Sequence, residues 1–126
     1  MSFKSPLGRA RGLGSAKSGT GHWAAQRLSA MALVPLVLWF VWSLLCQAGA
    51  DHAGFTAWLS QPHVAVLMSA FTLALFYHAQ LGLQVVIEDY VHQEFAKLGA
   101  LVVVKLGAAL AALSCVVSVV LIAVAP

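Results

Sequence analysis

The chain predicts an all-α integral membrane protein, three transmembrane helices behind a short, flexible, basic N-terminal tail. Three observations predict it. The 126 residues are 61% hydrophobic and 9% charged, with mean hydropathy +0.89, which is too apolar for a water-soluble domain of this size. The apolar residues gather at roughly 25–48, 61–87 and 98–124, each long enough to cross about 30 Å of hydrocarbon at about 1.5 Å per residue. Stretches that long satisfy their backbone in lipid only as helices, so no strand reading competes. The cations are also asymmetric. Lys4, Arg9, Arg11, Lys17 and Arg27 come at or before the first turns of span one, none falls in 49–60, and Lys97 follows span two.

Residues 1–24 form the tail and 25–126 the anchor domain. The tail is rich in Gly, Ser and basic residues without apolar periodicity, so it is expected to be mobile on the cytoplasmic membrane surface. Gly14-Ser15-Ala16-Lys17-Ser18-Gly19 is no phosphate-binding loop, because it lacks the Gly-Lys pair and no strand precedes it. His22 and Trp23 stand where an interfacial belt belongs, and Arg27 enters the first turns of span one. That span is too long for a signal-peptide core and is followed by no small-residue cleavage site, so a retained helix is expected. Pro35, placed about two turns into it, is expected to kink it.

Residues 49–60 read as a short external loop with Trp58 as an interfacial anchor. Gln61-Pro62 opens span two, with proline in the first turn, where its missing N–H is harmless. Span three is Ala, Val, Leu and Gly broken by Lys105, whose stem is expected to carry its ammonium to the headgroups. Cys46 and Cys115, without a CxxC or paired spacing, read as small buried packing residues. The positive-inside rule puts the N-terminus in the cytoplasm or mitochondrial matrix and the C-terminus outside, in a bacterial inner or mitochondrial inner membrane. The net charge of +3 follows from that topology and gives no reason to propose a nucleic-acid partner.

The chemistry is on span two, which carries one imidazole in an apolar helix and an acid–phenol pair at its end. An ionisable residue inside a span is costly, and His78 is a candidate metal or haem ligand on that ground. A neutral histidine bonded to a neighbouring helix accounts for the position equally well. With about 100° and 1.5 Å per residue, Asp89 lies about 20° around the helix from His78 and about 16 Å along it. Gly82 falls near 40°, leaving room for a flat macrocycle or a neighbouring helix beside the imidazole. Ser69, Gln80 and Gln84 cluster near 180–240°, so polar groups stand on more than one side and the helix belongs inside a bundle. His22, His52, His63 and His92 lie at or beyond the span boundaries. A second histidine ligand at the depth of His78 therefore has to come from another polypeptide.

Asp89-Tyr90 reads either as a helix end with a boundary tyrosine or as half of a quinone site. In the second reading the phenol donates to a quinone oxygen as charge develops there, and the carboxylate orients the phenol or relays a proton. Arg27 stands on the same side, as a partner for a haem propionate or for Asp89, or simply as an anchoring cation.

With His78, three residues, Gly82, six residues, Asp89-Tyr90, a basic N-terminus and three spans, the sequence resembles the hydrophobic membrane-anchor subunits of succinate dehydrogenase (complex II), in particular the D-type, cytochrome b small subunit. The segment from Gly14 through His22-Trp23 to Arg27 also looks like that of bacterial members. The resemblance implies that His78 is an axial ligand of one haem b bridging this chain and a C-type sister anchor, which supplies the other histidine. It implies that Tyr90, supported by Asp89, bonds ubiquinone in a site shared with the sister anchor and an iron–sulfur subunit. Succinate oxidation, the flavin and the clusters then belong to flavoprotein and iron–sulfur partners on the cytoplasmic or matrix face. The alternatives are a fumarate reductase anchor working with menaquinone and a cofactor-free membrane scaffold.

Overall fold

The computed structural model describes residues 6–10 and 19–125. Lys4, Arg11, Lys17 and most of the Gly14–Gly19 segment, with the expectation of a mobile tail, lie outside them. A five-residue helix α1, Pro6–Ala10, precedes three long helices and one short one: α2 Gly19–Cys46, α3 His52–Leu59, α4 Pro62–Tyr90 and α5 Glu94–Val124. The long helices α2, α4 and α5 have the length and composition to cross a membrane. The protein is a multi-pass membrane protein.

The middle helix is α4, which packs against both α2 and α5, while α2 and α5 do not pack on each other. Two grooves therefore run along α4, one on each side. Near the α3 end, Leu59, Val64 and Val119 form a small buried cluster, with Trp39, Phe55 and Trp58 against it. Phe40 of α2 stacks on Phe71 of α4, ring centroids 4.5 Å apart, an arrangement that fixes the crossing of the two helices. Few other residues are buried, and α2 and α5 expose Leu, Val and Met along most of their length. Lipid chains are as apolar as leucine, so such exposure costs nothing in a bilayer and burial does not drive the packing.

Several boundaries move from expectation: α4 runs on to Tyr90 rather than ending at 87, and α5 begins at Glu94 rather than 98. Span one begins as a helix at Gly19 rather than residue 25, since the polar stretch through Gln26 packs its His22, Ala25 and Gln26 side toward α4. Pro35 accordingly stands near the middle of α2, not two turns from its start. The expected loop 49–60 is instead mostly helix α3. Asp51 caps it by accepting from the Gly54 N–H at 2.8 Å, and Gly49, at φ 107°, supplies the left-handed turn that releases the chain from α2. Trp58 lies partly buried, its ring 5.4 Å from that of Phe55.

Gln61 and Pro62 open α4 as expected, with proline in the first helical turn. The cysteines correct the sequence reading: Cys46 and Cys115 are both free and exposed, Cys115 at the edge of an open crevice between α4 and α5.

Candidate functional site

His78 follows Pro62 by sixteen residues and precedes Tyr90 by twelve, which sets it near the middle of the span, about 18 Å from the α4 C-terminus. It is half-buried, and its Nδ1 lies 2.9 Å from the Oγ of Ser29, a buried residue on α2. Ser29 sits there because α2 turns its small residues toward α4 at this level. Its Oγ also lies 3.0 Å from the Gln26 carbonyl oxygen, one turn earlier on its own helix.

The hydroxyl has one hydrogen, and a carbonyl can only accept. Both contacts are satisfied together only when Ser29 donates to the Gln26 carbonyl and accepts from the Nδ1–H of His78. The proton is then on Nδ1, and the Nε2 lone pair is left over. A hydroxyl holding one ring nitrogen in this way is the arrangement that orients a metal-binding imidazole. Among the described residues no cluster of three or more His, Cys, Asp or Glu is placed to hold a metal ion. The donor that the described residues offer at this level is one imidazole nitrogen, which would fit a metal whose other ligands do not come from His, Cys, Asp or Glu beside it.

Beside it, Gly82 is partly open. A methyl group placed there would meet only the Gln26 amide nitrogen, at 3.8 Å, an ordinary contact. The neighbour at Gly82 is thus the end of the Gln26 side chain of α2 and not the α2 backbone. The Oε1 of Gln26 is buried without a hydrogen-bond partner, which leaves an unused acceptor in the same neighbourhood.

Asp89 and Tyr90 form the last turn of α4 and are both exposed, Tyr90 to 79%. Neither is among the described residues that line the polar cavity beside α4. Arg27 does not reach Asp89; its guanidinium lies 5.2 Å from the centre of the Trp23 ring, a cation–π contact at an exposed position.

The other side of α4 carries what the sequence reading left undeveloped. Gln80, Gln84 and Glu88 line an open cavity of about 790 Å³ with Tyr77 and Leu81, bordered by Gly19–His22 and Ala25 of α2 and by Lys105 of α5. The Gln84 amide donates to the Glu88 carboxylate at 2.8 Å. Lys105 thus shares a cavity with an acid and two amides, where the sequence pointed only to a side chain reaching the headgroups. The i, i+4, i+8 spacing of Gln80, Gln84 and Glu88 was a readable signal for this polar stripe. Nothing in the sequence marked Ser29 as the partner of His78, since a serine within a span usually bonds its own helix.

These features define a class of protein: a three-span helical membrane protein whose polar groups converge on its middle helix, with one oriented imidazole inside the bilayer and an acid–phenol pair at its edge. Residues 1–124 match the family model for the succinate dehydrogenase/fumarate reductase transmembrane subunit. Similar proteins include the succinate dehydrogenase hydrophobic membrane anchor subunit of Rickettsia bellii, 34% identical over 93% of this chain and 94% of that one. The protein of the same description from Paracoccus denitrificans is 31% identical over 71% and 70% of the two chains. The succinate dehydrogenase membrane anchor subunit of Reclinomonas americana is 26% identical over 71% and 77%. No solved structure gives a significant match. The chain belongs to the family of succinate dehydrogenase membrane-anchor subunits, and so forms part of an enzyme complex with other subunits.

Proposed function

We propose that this chain anchors a succinate:ubiquinone oxidoreductase, holds one face of a haem b through His78 and supplies one wall of the quinone-reduction site through Tyr90 and Asp89. The observation that carries the reading is the Ser29–His78 contact, which leaves Nε2 as a free donor in mid-membrane. The uncrowded helix surface at Gly82 gives a macrocycle an approach beside that nitrogen. Bound there, the haem supplies a one-electron store within the anchor. Because the imidazole supplies one ligand, a C-type sister anchor provides the second histidine.

At the end of α4 the Tyr90 phenol is free to donate to a quinone oxygen, and Asp89 is near enough in sequence to steer that phenol or pass it a proton. Their exposure fits a site whose remaining walls come from the sister anchor and an iron–sulfur subunit. In this reading a flavoprotein oxidises succinate, and electrons reach ubiquinone through the iron–sulfur subunit. The cation distribution supports an N-terminus and α4–α5 junction on the cytoplasmic or matrix side, and in this reading the membrane is a bacterial or mitochondrial inner membrane. Succinate oxidation is favoured over fumarate reduction with menaquinone because the relatives described above all carry the succinate dehydrogenase name.

The test is a reduced-minus-oxidised optical spectrum of the purified complex, wild type against His78→Ala. A b-type band present in the first and lost in the second is expected. A band that survives unchanged would remove His78 as a ligand, and its absence from the wild type would leave a quinone anchor without haem or a scaffold.

A further inference from the structure

We propose that the cavity between α2, α4 and α5 binds the headgroup of a zwitterionic phospholipid carrying a primary ammonium, phosphatidylethanolamine, with its acyl chains running deeper along α5. This site lies on the side of α4 away from Gly82 and Asp89, and it does not rest on the haem assignment.

Charge separation along the membrane normal is the first observation. Helix side chains lean toward the N-terminus of their own helix. On α5 that direction leads from Lys105 toward the α4–α5 junction, whereas on α4 it leads from Glu88 back into the membrane. Both charges border one cavity of about 790 Å³, with Glu88 two residues from the α4 C-terminus and Lys105 eleven residues into α5, so Glu88 is nearer the membrane edge and Lys105 deeper. Yet the Glu88 carboxylate is bonded by Gln84. The complement to this pattern is a molecule with its cation outermost and its anion one step deeper, which is the order of ammonium and phosphate in phosphatidylethanolamine. A primary ammonium has three N–H donors for the Glu88 carboxylate and a quaternary one has none.

The second observation is continuity with an apolar crevice. Tyr77, Gln80 and Lys105 also line a second cavity of about 200 Å³, which runs on between Leu73 and Phe76 of α4 and Ala108 and Ala112 of α5. Small alanines on α5 open this crevice toward the membrane centre, as an acyl chain attached below the phosphate requires. Third, His22 borders the polar cavity, and its Nε2 is buried without a hydrogen-bond partner. A buried ring nitrogen left unpaired is costly, and a lipid phosphate or ester oxygen reaching this wall supplies the partner.

The test uses the intact complex, washed extensively in detergent and examined by native mass spectrometry, then re-exposed to nanodiscs containing phosphatidylethanolamine, phosphatidylglycerol or phosphatidylcholine. The wild-type complex is expected to retain phosphatidylethanolamine through the wash and to rebind it in preference to the other two. Lys105→Gln should lower its retention about tenfold and Lys105→Arg should restore it. Glu88→Gln should move the preference toward phosphatidylglycerol, which lacks the ammonium. Subunit stoichiometry in each variant reports that the complex is assembled, and the arginine variant keeps the test open if the glutamine variant does not assemble. Equal retention by wild type and Lys105→Gln would overturn the proposal. So would a wild type that holds phosphatidylcholine or phosphatidylglycerol as well as phosphatidylethanolamine.

Discussion

The two sides of α4 solve the same problem differently. On the Gly82 side the polar residue within the span is neutral and is bonded from a neighbouring helix, Ser29 to His78. On the Gln80 side the polar residues include an acid and a lysine, bordering open space between helices that do not touch each other. A single hydrogen bond holds the first side in one arrangement, leaving one nitrogen to be filled. The second side has one internal pair, Gln84 with Glu88, and several further donors and acceptors around it. In the functions proposed above, one side takes a rigid ligand at one atom and the other an amphiphile over a larger area.

The sharpest way to break that comparison is at His78. His78→Ala should abolish the b-type optical band while leaving the subunits assembled, and retention of the band would make the two sides equivalent in kind. Next in size is Tyr90→Phe, which keeps the ring and removes the hydroxyl. Haem content is expected to remain normal while quinone reduction falls roughly a hundredfold, read as turnover at limiting and saturating quinone. Unchanged turnover at both would take Tyr90 out of the site.

Ser29→Ala tests whether the contact from α2 orients the imidazole or merely touches it. Haem retention should weaken about fivefold, in keeping with roughly 1 kcal/mol for an interhelical hydrogen bond in a membrane, with Ser29→Thr restoring it and the haem midpoint potential moving in the alanine variant alone. A potential identical in all three proteins would reduce Ser29 to packing. The smallest effect on the chain itself is expected from Gly82→Ala, since its methyl group meets only Gln26. Helix stability should stay within about 1 kcal/mol of wild type. A fall in haem content without loss of assembly would then show that the macrocycle, not the protein, needs the glycine.

Much of this was legible in the sequence, for identifiable reasons. The spans were readable because crossing hydrocarbon imposes length and apolarity on every stretch that does it. The position of His78 around the helix relative to Gly82 and Asp89 followed from helical geometry alone. The start of α2 at Gly19 did not, because residues before the span are held helical by packing on α4, which hydropathy does not record. Helix α3 was missed although Asp51 followed by Gly54, with Phe55, Trp58 and Leu59 on one side, carries a cap and a periodic apolar face; eight residues are simply too few to stand out beside three spans. The Ser29 contact was hidden for another reason. It depends on the rotation of α2 against α4, and two helices far apart in sequence do not announce which of their turns will meet.

The link between α4 and α5 is only residues 91–93. So short a link allows neither helix to settle across the bilayer far from the other, and they enter as one antiparallel hairpin. Helix α4, which carries the histidine and both glutamines, is a reluctant occupant of hydrocarbon, whereas α5 is the most apolar of the long helices. Tied this closely, the two helices share one hydropathic balance, in which the apolar length of α5 offsets the cost of the polar groups on α4.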